Sequence, residues 1–393
     1  MSMRRVVVTG ADAVSCCGIG REAFFDGLLA PAPTQRPREV AEYDLSPYFD
    51  RKEARRLDRH AHLSLTATIE ALNEAGELPY DPLRIGTFIG TGVGGMRTFE
   101  EQVITRAEKG DRRVSPFLIP MMMANACSAN VSMRYGFKGP CETTVTACAA
   151  SNQSIGNAFN MIRWNRCDAV VTGGTESALT PTGMAGFRNM TALSTEGISR
   201  PFDAARDGFI HAEGAATIIL EELEGAQARG ATILAEVLGY ATTADAGHIT
   251  APAEGGAGAI ECMTMALADA GLEPGDITYV NAHGTSTPLN DAAEAAAIQT
   301  VFGTSPGPKV TSIKGVTGHS LGAAGALEAV SIIESMQRGF IPPTANTTAV
   351  DPELPPIDVV IGDGTDWTPG PAISNSFGFG GHNASLIFGP APS

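Results

Sequence analysis

Positive charge is scarce in this chain. Lysine and arginine number 27 against 43 aspartates and glutamates, a net charge of −16, which argues against general nucleic-acid binding through a basic surface. No window approaches 18 uninterrupted apolar residues, so no transmembrane helix is expected. Cysteine is sparse and unpatterned. The seven cysteines (Cys16, Cys17, Cys127, Cys141, Cys148, Cys167 and Cys262) are odd in number and form no C-x-x-C pair. With no secretory signal recognised, they read as thiols of a reducing cytoplasm, with neither a disulfide framework nor a zinc site. The twin arginine at the start precedes only three valines before Gly10, so that segment reads as a first strand and not a targeting sequence. Charged residues are only 18% of the chain, yet hydrophobic residues reach 43%, the balance of a soluble globular protein.

What the chain has is glycine, 45 of them, and length, 393 residues, enough for two core-bearing halves. Apolar periodicity predicts strands over 4–9, 84–89, 143–146, 168–173, 213–220, 233–238, 277–282, 309–313 and 384–388. Helices are predicted over 20–29, 152–164, 221–229, 256–270, 290–301 and 322–338. The alternation is α/β throughout and restarts near residue 230, which predicts one half over 1–230 and another over 231–393. A further helix is predicted from 51 to about 75. Its cations at 51, 52, 55, 56 and 59 would share one face, either a solvated face or a dock for an acidic protein. Met121 to Met123 and Met133 read as adaptable core. The glycine-rich turn 90–95 lacks the Lys-Ser/Thr of a P-loop and the G-x-G-x-x-G spacing, so it makes a poor nucleotide site.

Three residues share a position that invites chemistry. Cys148 stands between a β-branched tract and a helix, where unsatisfied helix N–H groups would favour a thiolate; the alternative is a buried structural cysteine. His283 follows strand 277–282, and His319 lies between strand 309–313 and helix 322–338. Crevices beyond strand carboxyl ends are where α/β sheets bind ligands. A thiolate can take an acyl group from a thioester. Loss of CO2 from a malonyl thioester then leaves an enolate, which two imidazole N–H donors would stabilise, each worth about 3–4 kcal/mol. Lys314 and Glu328 could form a buried pair holding the His319 loop, or be unrelated surface groups.

Four motifs carry a resemblance: Thr-Ala-Cys148-Ala-Ala-Ser, Asn281-Ala-His283-Gly-Thr-Ser-Thr, Ser312-Ile-Lys314-Gly-Val-Thr-Gly-His319-Ser, and Asn375-Ser-Phe-Gly-Phe-Gly-Gly-His-Asn383. Together, and in this order, they resemble the β-ketoacyl-acyl carrier protein synthases, the type II elongating enzymes of fatty acid and polyketide synthesis. The resemblance implies a thiolase-like fold, two similar α/β halves in αβαβα layers. It implies an acyltransferase that joins an acyl chain on Cys148 to a malonyl-derived enolate, with His283 and His319 as the histidine pair and Lys314 and Glu328 as their support. Phe377 would gate the acyl chain, with 245–255 as a second gating loop, and Phe379, Phe202 and Val93 would contact substrate. Thr285 and Thr287 would bond a phosphopantetheine arm delivered on an acyl carrier protein, with no resident cofactor or metal. Lys52, Arg55, Arg56, Arg112 and Arg113 would grip that carrier. A homodimer is implied, or a heterodimer with a chain-length-factor-like homologue, and the methionines would lie near that interface.

The departures are Cys16-Cys17, where a proline-containing segment is more usual, and His382, where threonine is. A thiolase would need a second cysteine in 375–383, and a chain-initiating synthase would need asparagine in place of His319. A non-catalytic chain-length factor would lack Cys148. A Cys-His protease would leave the second histidine unexplained.

Overall fold

Five strands of the first half set the plan: β1 (Val6–Ser15), β2 (Ile85–Gly90), β3 (Cys141–Glu142), β4 (Ala169–Glu176) and β5 (Gly214–Glu222). In the computed structural model, which describes residues 3–303 and 307–392, they lie side by side as β3-β2-β4-β5-β1. The next five are β6 (Ala235–Ala244), β7 (Tyr279–Asn281), β8 (Lys309–Thr311), β9 (Ala372–Gly378) and β10 (His382–Pro390). They repeat the order as β8-β7-β9-β10-β6. The directions repeat too. The second, third and fourth strands of each set run parallel, and the fifth pairs antiparallel with both the fourth and the first. At one end, Val6 to Val8 pair antiparallel with Ala235 to Val237 and join the two sheets.

Every residue of β1, β4 and β5 is buried, as expected of strands covered on both faces. The covering layers are helical. Helix Ala150–Arg163 packs against helix Ala324–Arg338 between the sheets, and the latter is buried without a break from Ala324 to Met336. Its apolar residues face every side, and its buried Glu328 and Glu334 are paired with Lys314 and Arg21. Helix Arg59–Ala75 covers the first sheet outside and helix Ala257–Ala270 the second, completing an αβαβα stack.

Three sequence expectations change. Residues 143–146 form no strand: beyond Glu142 the tract keeps one ladder-like bond, Thr91 N–H to the Thr144 carbonyl at 3.1 Å. The helix expected from 51 is broken. Asp50 caps a single turn, Arg51–Ala54, and Asp58 caps a new helix from Arg59 by accepting the His60 N–H. Strand β9, over 372–378, was not anticipated; its Ala-Ile-Ser-Asn-Ser run has two apolar residues and no alternation, and a glycine-rich segment follows.

Candidate active site

The tract leading to Cys148 turns sharply. Ala147 has φ +49, a left-handed conformation that costs a non-glycine residue of order 1 kcal/mol or more. A 3-10 turn, Ala147–Ala149, then feeds helix Ala150–Arg163. The second half makes the same turn at Leu321, φ +45, ahead of its own buried helix. Gly378, at the end of β9, comes so close to the Cys148 turn that a Cβ there would meet the Thr146 carbonyl oxygen at 2.9 Å and the Cys148 nitrogen at 3.1 Å. Only glycine permits that approach.

Both histidines arrive at this turn from the second half. His319 Nε2 lies 3.0 Å from Cys148 Sγ. The His283 ring stands edge-on to His319 at 5.3 Å between centroids, and donor atoms of all three residues fall within 4.8 Å of one another. Such a set could also hold a thiophilic ion. Lys314 and Glu328 are each 1% exposed and form an ion pair, and Lys314 Nζ also donates to the His283 carbonyl at 2.6 Å. The Glu294 carboxylate accepts the His283 and Gly284 N–H groups, both at 2.7 Å.

Burial governs the protonation states. It pushes the Cys148 thiol up to about 12, against the opposing pull of the Lys314 charge and the Phe379 N–H. Dehydration in a closed site thus opposes the thiolate that a helix terminus would favour. Burial, then the Lys314 charge, holds both His283 and His319 well below the usual imidazole range. Both are neutral and keep one N–H to donate.

A cavity of about 390 Å³ opens onto these groups. Thr285, Thr287, Phe377 and Phe379 line it, as does the loop from Thr250 to Ala253. The Thr285 and Thr287 hydroxyls lie 2.8 Å apart. The 245–255 loop is latched to the glycine segment: Asp245 accepts the Asn383 amide at 2.7 Å, and the Gly380 N–H donates to the Ile249 carbonyl at 2.7 Å. Two expected contacts are not made. Val93 is 47% exposed and does not line the cavity. Phe202 is fully buried in the second core beneath Gly284, and its N–H donates to Asp291 at 2.8 Å, so it supports the His283 turn from behind.

Phe187, Phe209 and Glu176 were missed. Phe187 and Phe209 line the cavity and pack edge-to-face at 5.7 Å, and Phe209 also meets the His319 ring at 5.1 Å. Fully buried Glu176 accepts the Gly92 N–H at 2.7 Å and the Gly322 N–H at 3.2 Å. The glycine turn 90–95 thus spends its N–H donors internally. A carboxylate closing a strand of small residues, Thr-Gly-Gly-Thr-Glu176, was the available signal.

Comparison with known proteins gives the family. Residues 3–226 match the family model described as Beta-ketoacyl synthase, N-terminal domain, and residues 234–348 match its C-terminal domain. The chain belongs to the β-ketoacyl synthase family. It is 43% identical over 412 residues to a 3-oxoacyl-[acyl-carrier-protein] synthase 2 of Synechocystis sp., covering 99% of this chain and 98% of that protein. The fold is thiolase-like. It superposes on the ishigamide ketosynthase/chain length factor with a TM-score of 0.93 at 33% identity, covering 100% of each chain. A type II PKS ketosynthase, solved in complex with its acyl-carrier protein and bound to the hexaketide, gives a TM-score of 0.90 at 29% identity, again over 100% of each chain.

On this β-ketoacyl synthase chain the five expected docking cations, Lys52, Arg55, Arg56, Arg112 and Arg113, are exposed. The Arg56 guanidinium lies 4.6 Å above the Phe117 ring, which brings the 52–56 turn beside the 112–117 segment. Arg59 does not share their face. The helix break turns it inward to pair with Glu213 at 2.9 Å. Met123 and Met133 are exposed, at 41% and 72%, so they are not core. No helix among the described residues is long and apolar enough to cross a membrane.

Proposed function

We propose that this synthase carries out a decarboxylating Claisen condensation, transferring an acyl chain from an acyl carrier protein to Cys148 and joining it to a malonyl-derived enolate. The products are a 3-oxoacyl-carrier thioester and CO2. The observation that carries this reading is the convergence of one thiol and two neutral imidazoles, drawn from different halves, at the floor of one cavity. His319 Nε2, 3.0 Å from Sγ, is placed to take the thiol proton as sulfur attacks the thioester carbon, and to pass it to the carrier's phosphopantetheine thiolate, which leaves as the tetrahedral intermediate collapses. The main-chain N–H groups of Cys148 and Phe379 point at this centre and suit the oxyanion of the tetrahedral intermediate. Once the acyl chain is on sulfur, the incoming malonyl thioester loses CO2. The enolate oxygen accepts hydrogen bonds from His283 and His319, and its carbon attacks the acyl-cysteine carbonyl, expelling the Cys148 thiolate.

Lys314 and Glu328 act as positioning residues for both histidine loops. Thr285 and Thr287 bond the phosphopantetheine arm, which arrives on the carrier and is not a resident cofactor. Phe377 gates the acyl chain and Phe379 adds to its wall. Lys52, Arg55, Arg56, Arg112 and Arg113 hold the acidic carrier. The two halves meet near residue 230, and seven free thiols suit a reducing cytoplasm. Phe99 and Val103 stand exposed one helical turn apart on helix Met96–Lys109, with Val93, Ile104 and Met123 also exposed. We place the second subunit there, a second copy or a chain-length-factor-like homologue.

Mixing the purified chain with a panel of acyl-carrier thioesters and reading its intact mass tests the proposal. Acyl transfer to Cys148, discharged on adding malonyl carrier protein, is expected. No loading from any carrier would favour a partner subunit that only shapes the acyl tunnel.

A further inference from the structure

The two cysteines of the first hairpin take no part in this chemistry. Ser15 pairs with Gly18, so Cys16 and Cys17 are the two residues of the turn itself, and both are part-exposed. The Cys16 thiol faces the main-chain oxygens of Val316 and Thr317, at 3.8 and 3.6 Å, just ahead of His319. Behind the thiols lies Arg38, only 3% exposed. Its Nη1 donates to the Gln35 carbonyl at 2.5 Å, but its Nε has no partner. Among the described residues no carboxylate pairs with it, and nearby Glu213 is taken up by Arg59. A buried guanidinium without a counter-ion is costly, and ionised Cys16 or Cys17 would offset its charge. In keeping with this, the hydrogen bond from Cys17 and then the Arg38 charge hold the Cys16 thiol below its ordinary value, while Cys17 is driven well above.

We infer that Cys16 and Cys17 form a peroxide-reactive dithiol, a modification site in which Cys16 reacts first and Cys17 resolves it. The Cys16 thiolate attacks one oxygen of hydrogen peroxide. The O–O bond breaks, hydroxide leaves, and Cys16 becomes a sulfenic acid. The Cys17 sulfur then displaces the sulfenyl oxygen as a second hydroxide, forming the S–S bond. The two thiol protons convert both hydroxides to water, so two thiols are oxidised and one peroxide is reduced. Closure withdraws the Cys16 hydrogen from Val316 and Thr317. In the thiolate form, closure instead removes the negative charge that offsets Arg38, and Arg38 packs directly beneath Gly318, where a Cβ would meet its Cγ at 2.9 Å. Both contacts bear on the turn that holds His319.

The test uses the full-length Cys148→Ala protein, so that the active-site thiol does not compete. Hydrogen peroxide is expected to remove two hydrogens from the intact mass. The loss should map to the peptide holding Cys16 and Cys17, reverse with dithiothreitol, and be absent when Cys16→Ser or Cys17→Ser is added. Amide exchange across residues 314–320 is expected to rise on oxidation. Oxidation beginning instead at exposed Cys141, with the pair still titrating as two free thiols, would overturn the site. A disulfide that left exchange at 314–320 unchanged would overturn its link to His319.

Discussion

The Lys314 ammonium crosses from the His319 loop to the main-chain oxygen of His283, 2.6 Å away, so one buried cation fixes both imidazoles while its charge helps keep them neutral. Its counter-ion, Glu328, has no access to water. Lys314→Met should therefore lower the melting temperature, by the equivalent of about 3–5 kcal/mol. Adding Glu328→Leu should restore much of that stability, while malonyl decarboxylation stays depressed. Activity recovering together with stability in the double variant would show the pair to be scaffolding only.

Nucleophile and enolate support should separate experimentally. Cys148→Gln is expected to abolish acyl loading yet retain CO2 release from malonyl carrier protein. His283→Ala and His319→Ala should each slow that release by roughly 10²–10³-fold. Chain elongation by Cys148→Gln would refute the nucleophile assignment.

The raised Cys148 thiol makes a directional prediction about pH. With its pKa pushed to about 12, the thiolate fraction should climb about tenfold per pH unit from neutrality to pH 10. Iodoacetamide alkylation of Cys148, followed by mass, should climb with it. A plateau near pH 8 would mean a thiolate already formed at rest.

Glu176 should leave a signature in stability. Burial raises its carboxyl from 4.5 to about 7, so the folded chain keeps a proton that the unfolded chain has lost. That contribution is complete below about pH 4.5 and disappears as pH rises through 7, amounting to roughly 3 kcal/mol across the window. Urea midpoints of Glu176→Gln should fall less steeply between pH 4.5 and 7 than those of the parent. Identical slopes would exclude a titrating Glu176.

Reversing the surface charges at Arg55 and Arg56 to glutamate should raise KM for carrier-bound substrates and spare kcat. Turnover of a small pantetheine thioester should not change. Equal losses on both substrates would point to a damaged fold rather than a lost dock.

Much of this was legible in the sequence because the chemistry lies in short local motifs. His283, His319 and Lys314 each stand beside glycine or hydroxyl residues between a strand and a helix, Cys148 stands in a run of small residues ahead of a helix, and the structure brings them together. Phe187 and Phe209 were not legible: Phe187 lies on helix Pro181–Asn189 and Phe209 follows the turns of 199–208, and neither pattern tells a ring that lines a cavity from one that fills a core. Phe202 shows the converse error: it lies in a comparable stretch but turns inward. The single-helix reading of residues 51–75 failed because two aspartates eight residues apart each cap a helix start, and that signal outranked the charge periodicity. The burial of the nucleophile was not legible for a different reason. Dehydration depends on what closes over Cys148, and β9 does so from more than two hundred residues away.

The repeated strand order has one last consequence. The sulfur comes from the first set of five strands and both imidazoles from the second, so neither set holds a complete reaction centre. Catalysis is thus a gauge of how the two sets are seated on each other. A substitution anywhere along the Ala150–Arg163 and Ala324–Arg338 contact could leave each sheet intact and still silence the enzyme.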